Sequence, residues 1–157
     1  MTRNLSRVGF LLFSFLIVGA VCEASGQTVT ASVPRNTVSK GKATRATVVL
    51  SIPAGLHVNS NRPDSEYAIA TTVRATARGA RVGGVSYPRG VNRKFEFSPN
   101  YINVYEGSPR FSFPITVPAS FRGDTLKIDV TVRYQACTNE VCYPPRNKTV
   151  TVNARVQ

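Results

Sequence analysis

The sequence predicts an all-β fold, an immunoglobulin-like β-sandwich of about seven to nine antiparallel strands. Three observations carry that expectation. Apolar and polar residues alternate one for one over long stretches, the period of a strand with one buried face. Turn-forming clusters rich in Gly, Pro, Asp and Ser recur between those stretches. No segment sustains apolar residues at helical spacing.

The elements follow in order. Residues 28–33 and 44–52 read as strands, separated by Ser39-Lys40-Gly41-Lys42. Ile52-Pro53-Ala54-Gly55 turns the chain, and residues 69–77 resume the pattern up to Arg78-Gly79. Residues 81–87, closed by Pro88-Arg89-Gly90, and residues 101–105 are further strands. Beyond Glu106-Gly107-Ser108-Pro109, the apolar Phe111, Phe113, Ile115 and Val117 alternate with Ser112, Pro114 and Thr116. After Arg122-Gly123-Asp124 the clearest strand sets Leu126, Ile128, Val130, Val132 and Tyr134 against Lys127, Asp129, Thr131, Arg133 and Gln135. A last strand over residues 149–156 places Val150, Val152, Ala154 and Val156 on one face. The architecture by itself assigns no function.

Residues 1–26 read as a secretory signal peptide: Arg3 and Arg7, an apolar run from Val8 to Val18, then the small residues Ala24-Ser25-Gly26. The run is shorter than a membrane span requires, and polar chain follows it, so no integral span is expected in the mature chain. Cleavage before Gln27 removes Cys22; retention and lipidation of Cys22 is the minor alternative, disfavoured by Val21 where a small residue is preferred. Residues 27–157 then form one domain, large enough for a core of its own. With Arg3, Arg7 and Glu23 gone, 18 basic and 7 acidic residues remain, a balance of +11. The basic residues are scattered without a dense run or interleaved aromatics, so no nucleic-acid partner is expected. A soluble basic surface is the first reading, and attraction to an acidic partner the second.

Cys137 and Cys142 are the cysteines the mature domain keeps. Four residues lie between them, too many for a C-x-x-C motif, and no second pair or histidine cluster completes a zinc site. In oxidising surroundings a disulfide is the first reading. If the strand ending at Tyr134 continues without a bulge, Cys137 falls on the face of Arg133 and Gln135, away from the core. Closing so short a loop stabilises the fold by only about 2 kcal/mol. A redox-active pair and a structural staple both remain open on these grounds. No Ser-His-acid set, phosphate loop or paired-carboxylate constellation is visible, and no metal or organic cofactor is expected.

The run Val132-Arg133-Tyr134-Gln135-Ala136-Cys137, followed by Val141-Cys142-Tyr143-Pro144-Pro145, resembles the active-site signature of the N-terminal periplasmic domain of DsbD thiol:disulfide interchange proteins. Pro88-Arg89-Gly90-Val91 leading to Phe95-Glu96-Phe97 and Val104-Tyr105 resembles that family's strand and cap segment, and residues 55–61 its turn near the site. The resemblance implies an immunoglobulin-like fold and a monomeric periplasmic electron relay. Its donor and acceptor are thioredoxin-like redox proteins, Cys142 makes the mixed disulfide and Cys137 resolves it. It casts Phe97 and Phe95 as cap, with Glu96, Tyr134, Tyr143 and Pro144 in support. Each has a plainer reading: Phe97 as a core aromatic, Glu96 as a solvated carboxylate instead of a proton acceptor, Pro144-Pro145 as ordinary extended chain. His57 is expected to be a loop histidine with a hydrogen bond and no part in the site. Asn147-Lys148-Thr149 is a chance glycosylation match in a bacterial family.

Three departures from the family stand out. The spacer Thr138-Asn139-Glu140-Val141 is one residue shorter than in its best-known members. The membrane-spanning and thioredoxin-like domains are missing, so electrons are expected from a separate protein. The acidic cluster of the cap is reduced to Glu96 beside Arg93 and Lys94, cations that favour thiolate if they lie close to sulfur. The competing expectation is a non-catalytic immunoglobulin-like binding module whose disulfide is a staple.

Overall fold

The structure, a computed structural model, describes residues 26–157, so the expected signal segment up to Ser25, including Cys22, lies outside the described residues. Over the described residues the chain is all-β apart from one 3₁₀ turn, Pro34–Asn36. Its strands are β1 (Thr28–Ser32), β2 (Thr37–Val38), β3 (Ala43–Ser51), β4 (His57–Asn59), β5 (Thr72–Ala77), β6 (Arg81–Val82), β7 (Val91–Arg93), β8 (Ile102–Tyr105), β9 (Arg110–Thr116), β10 (Thr125–Tyr134), β11 (Ala136–Cys137) and β12 (Arg146–Val156).

Two four-stranded sheets form the sandwich, in the orders β1-β3-β9-β6 and β2-β12-β10-β5. The pairings are antiparallel except that of β2 with β12. Alternation builds the core as expected: Phe111, Phe113 and Ile115 of β9 and Leu126, Ile128, Val130, Val132 and Tyr134 of β10 are all buried in one cluster. Val48 and Leu50 of β3 join them.

The expected strand 81–87 is interrupted, and Pro114 explains why. Gly83 donates its amide to the Pro114 carbonyl (2.8 Å), but proline has no N–H to return. The ladder stops after Val82 and resumes at a bridge between Ser86 and Ser112 with the register slipped by one residue. Gly83 is required there, since a Cβ would stand 2.6 Å from Pro114 Cγ. The expected strand 69–77 also starts late, at Thr72. The strand total exceeds expectation because β2, β4, β7 and β11 have two or three residues each, too few to show alternation.

Three of those short strands join β8 in a third sheet, ordered β11-β4-β8-β7. The chain leaves the sandwich at Gln135, and β11 pairs with β4 instead of extending β10. Ala136, Val58 and Tyr105 of this sheet belong to the main core cluster. Its other face carries Cys137, His57, Ile102 and Val104 by the alternation of each strand. Ile102 and Val104 form a second buried cluster with Phe95, packed by Ala68. The small sheet is thus a shelf with one face in the core and the other under a separate cover.

Candidate functional site

The cysteines sit at the root of a tight hairpin. Tyr143 donates its amide to the Ala136 carbonyl and Thr138 to that of Val141, each at 2.8 Å. Those bonds flank Cys137 and Cys142, which therefore face each other as a non-hydrogen-bonded antiparallel pair, the arrangement that brings side chains closest. Their Cα atoms are 4.0 Å apart and the disulfide is formed. The Thr138 hydroxyl accepts from the amides of Glu140 (3.2 Å) and Val141 (3.1 Å), which stiffens the turn across the short spacer.

The two cysteines meet different surroundings. Cys137 has 0% of its surface exposed, whereas Cys142 is exposed. Cys137 alternates with Ala136 of the main core cluster and so faces away from that core, although β10 does not continue into it, and it is not open to solvent. The Phe95 ring, itself buried, stacks on His57 at 4.2 Å between centroids and on Phe97 at 5.2 Å. Phe97, 40% exposed, is the outer ring of this stack and not a core aromatic. It lines a cavity of about 520 Å³ together with Cys142, Asn59, Gln135, Tyr67 and Ile102.

The remaining candidates separate. Tyr134 is buried in the main core, with its hydroxyl unpartnered and its pKa pushed up by burial. Tyr143 and Pro144 are exposed on the irregular segment between Cys142 and β12. Glu96 is exposed and makes no ion pair among the described residues. Arg93 and Lys94 are engaged elsewhere. Arg93 forms a two-pronged bond to Glu106 (2.7 and 2.9 Å), and Lys94 donates to the Pro99 carbonyl.

Against known families, the model for the N-terminal region of thiol:disulfide interchange protein DsbD matches residues 27–154. The chain belongs to the family of DsbD N-terminal domains. A relative, DsbD of Actinobacillus pleuropneumoniae serotype 5b (strain L20), is 23% identical over 100 residues, 64% of this chain and only 16% of that protein. Among solved structures, a complex between the DsbD N-terminal and PilB N-terminal domains of Neisseria meningitidis aligns with TM-score 0.56 and 15% identity over 87% of this chain and 91% of that one. The N-terminal periplasmic domain of ScsB from Proteus mirabilis aligns with TM-score 0.52 and 15% identity over 83% of this chain and 46% of that one. At such identities the structural likeness concerns the fold. Among the described residues no helix is long and apolar enough to cross a membrane, and no three His, Cys, Asp or Glu side chains cluster as a metal site.

This DsbD-type domain uses residues that the sequence reading passed over. Gln135 of the Tyr-Gln-x-Cys run accepts from the Asn59 side-chain amide (2.9 Å) and the Ile69 backbone amide (3.1 Å). Asn59 also donates to the Ile69 carbonyl at 3.2 Å. One glutamine thereby ties the loop before β5 to the shelf beside the cysteines. Thr71, fully buried, donates to the Asn59 carbonyl at 2.5 Å and continues the tie. His57 is no loop residue: it lies in β4, directly across from Cys137, and is 3% exposed. Burial lowers its pKa below the ordinary value, against a weaker upward pull from Glu106. The prior signals were that the chain holds a single histidine and that residues 55–61 resemble the family's turn near the site.

Proposed function

We propose that this domain is a periplasmic thiol-disulfide exchange module that relays two electrons between thioredoxin-like protein partners through Cys137 and Cys142. The observation that carries the reading is the asymmetry of one disulfide: an exposed cysteine, Cys142, that lines a cavity, bonded to a fully buried one, Cys137. In the reduced domain, the Cys142 thiolate attacks a partner disulfide and forms a mixed disulfide, releasing one partner thiolate. Cys137 then attacks Cys142 sulfur, re-forms the internal bond and releases the second partner thiolate. The partner gains two electrons and the cysteine pair loses them. Phe97 and Phe95 act as the cap that limits adventitious attack on the pair, and Tyr143 and Pro144 hold the chain leaving Cys142. The exchange needs no metal or organic cofactor.

Export by a signal peptide over residues 1–26 would deliver residues 27–157 to the periplasm as a monomer. The mass of the exported protein separates cleavage before Gln27 from lipid attachment at Cys22.

The test is the reduction potential of the pair, measured by equilibration against glutathione or dithiothreitol buffers. A value between about −270 and −120 mV, with a trapped partner adduct in Cys137→Ala, is expected for exchange. A value below about −300 mV, with both sulfurs unreactive until unfolding, would leave a binding module with a structural disulfide.

A further inference from the structure

Exchange of this kind, on which the following rests, sets a problem at its second step. A thiol attacks as thiolate, and burial in apolar surroundings makes a thiol hold its proton. Cys137 is fully buried, so bulk water is not at hand to take that proton. The group that faces it is His57. The register of β11 and β4 sets the two residues directly opposite each other, which places their Cβ atoms about 4.5–5.5 Å apart on one face of the shelf. The imidazole is clamped by the Phe95 ring, and its Nε2 is buried without a hydrogen-bond partner.

We propose that His57 is the proton acceptor for Cys137 in the resolving step, held in place by the cap. The proton of the Cys137 thiol passes to the imidazole. The thiolate attacks Cys142 sulfur in the mixed disulfide, the Cys137–Cys142 bond forms, and the Cys142–partner bond breaks. The partner's sulfur leaves with the electron pair and is protonated by the imidazolium or by water. In reverse, when a donor reduces the pair, His57 returns a proton to Cys137. The charged and titratable groups around the ring are few. β11 presents Cys137. Glu106, following β8, pulls on it electrostatically and is itself tied to Arg93 of β7. The cap brings Phe95, flanked by the exposed Lys94 and Glu96. Burial outweighs Glu106 and favours the neutral imidazole, the form that can accept a proton.

Reduced domain mixed with excess nitrophenyl disulfide separates the two steps, because each releases one coloured thiolate. The first comes from attack by Cys142, the second from resolution by Cys137. In His57→Gln the first step is expected to stay within about twofold of the unaltered protein. The second is expected to slow on the order of 100-fold, the lower range for loss of a positioned base. Its rate should then climb with pH toward the free-thiol range near about 8.5, instead of levelling near the imidazole pKa. An unchanged second step, or a slower one with the same pH profile, overturns the proposal. Absence of the first step in the unaltered protein is a different result and defeats the exchange reading beneath it. Should His57→Gln fail to fold, NMR titration of the unaltered protein decides, since this is the only histidine. Its imidazole signals should show a second inflection in the reduced domain that disappears in Cys137→Ala; identical curves overturn the assignment.

Discussion

The sandwich and the shelf are built from the same strands-and-turns chemistry but held by different forces. In the sandwich, β9, β10 and β12 run 7, 10 and 11 residues, and β9 and β10 send every second side chain into one apolar cluster. In the shelf, β11, β4, β7 and β8 have 2, 3, 3 and 4 residues, and much of the fixing comes from side-chain hydrogen bonds of Gln135, Asn59, Thr71 and Tyr105. Every residue of β4, β8 and β11 except the half-buried Asn103 is buried, so these polar ties act in addition to packing. The long alternating strands thus build the sandwich, while the cysteine pair sits on the short-stranded shelf. The comparison breaks most sharply at Phe113, which has 0% exposure. Phe113→Ala is expected to cost about 3–5 kcal/mol in urea unfolding. The reduction potential of the still-folded protein should not change. A parallel loss of redox behaviour would mean the two regions are one cooperative unit.

The next largest effect concerns the disulfide itself. The bond closes a loop of sequence separation 5, so its loss removes little chain entropy. Reduction is expected to lower stability by about 2 kcal/mol and leave one cooperative thermal transition. A collapse of the fold on reduction would make the bond a staple after all.

How much of this was legible in the sequence follows the same division. Alternation over β9, β10 and β12 is long enough to reveal both period and inward face, so the sandwich and its core residues could be read directly. Pro114 hid its consequence, because the interruption it causes appears on the neighbouring strand and not its own. The shelf could not be read from period at all: a strand such as Ala136–Cys137 has no alternation to count. Cys137 and Cys142 were found because cysteine chemistry is conspicuous in any context. His57 and Gln135 were not assigned roles, because what matters is the residue across from each. That is set by the switch of sheets at Gln135, which no local signal announces.

Gln135 offers a smaller and sharper test. Its side-chain oxygen takes two bonds, from Asn59 and from the Ile69 amide. Gln135→Ala is expected to cost about 1–3 kcal/mol. Hydrogen exchange should quicken at Ile69 and across β4 while β10 and β12 keep their protection. Uniform acceleration across all sheets would contradict a tie confined to the shelf.

The smallest effect is directional and separates the regions by pH. His57 binds its proton less readily when folded than when unfolded, because burial outweighs Glu106. The unfolded chain therefore holds more protons in the window from the ordinary histidine value of about 6.5 downward to the folded one, and stability falls as pH drops through it. One proton sets the ceiling, about 1.4 kcal/mol per pH unit. Glu106 and Asp129 act lower. Arg93 holds the first carboxyl below its usual range, and Thr151, with a lesser contribution from Lys127, holds the second. Their stabilisation is present above the unfolded carboxylate range of about 4 and is lost as pH falls through the folded values. Melting temperature followed from pH 7 to 5 should decline gently in the unaltered domain and stay flat in His57→Phe, which keeps an aromatic ring against Phe95. A decline that survives the substitution would assign the titration to some other group and leave the shelf without the buried base that distinguishes it from the sandwich.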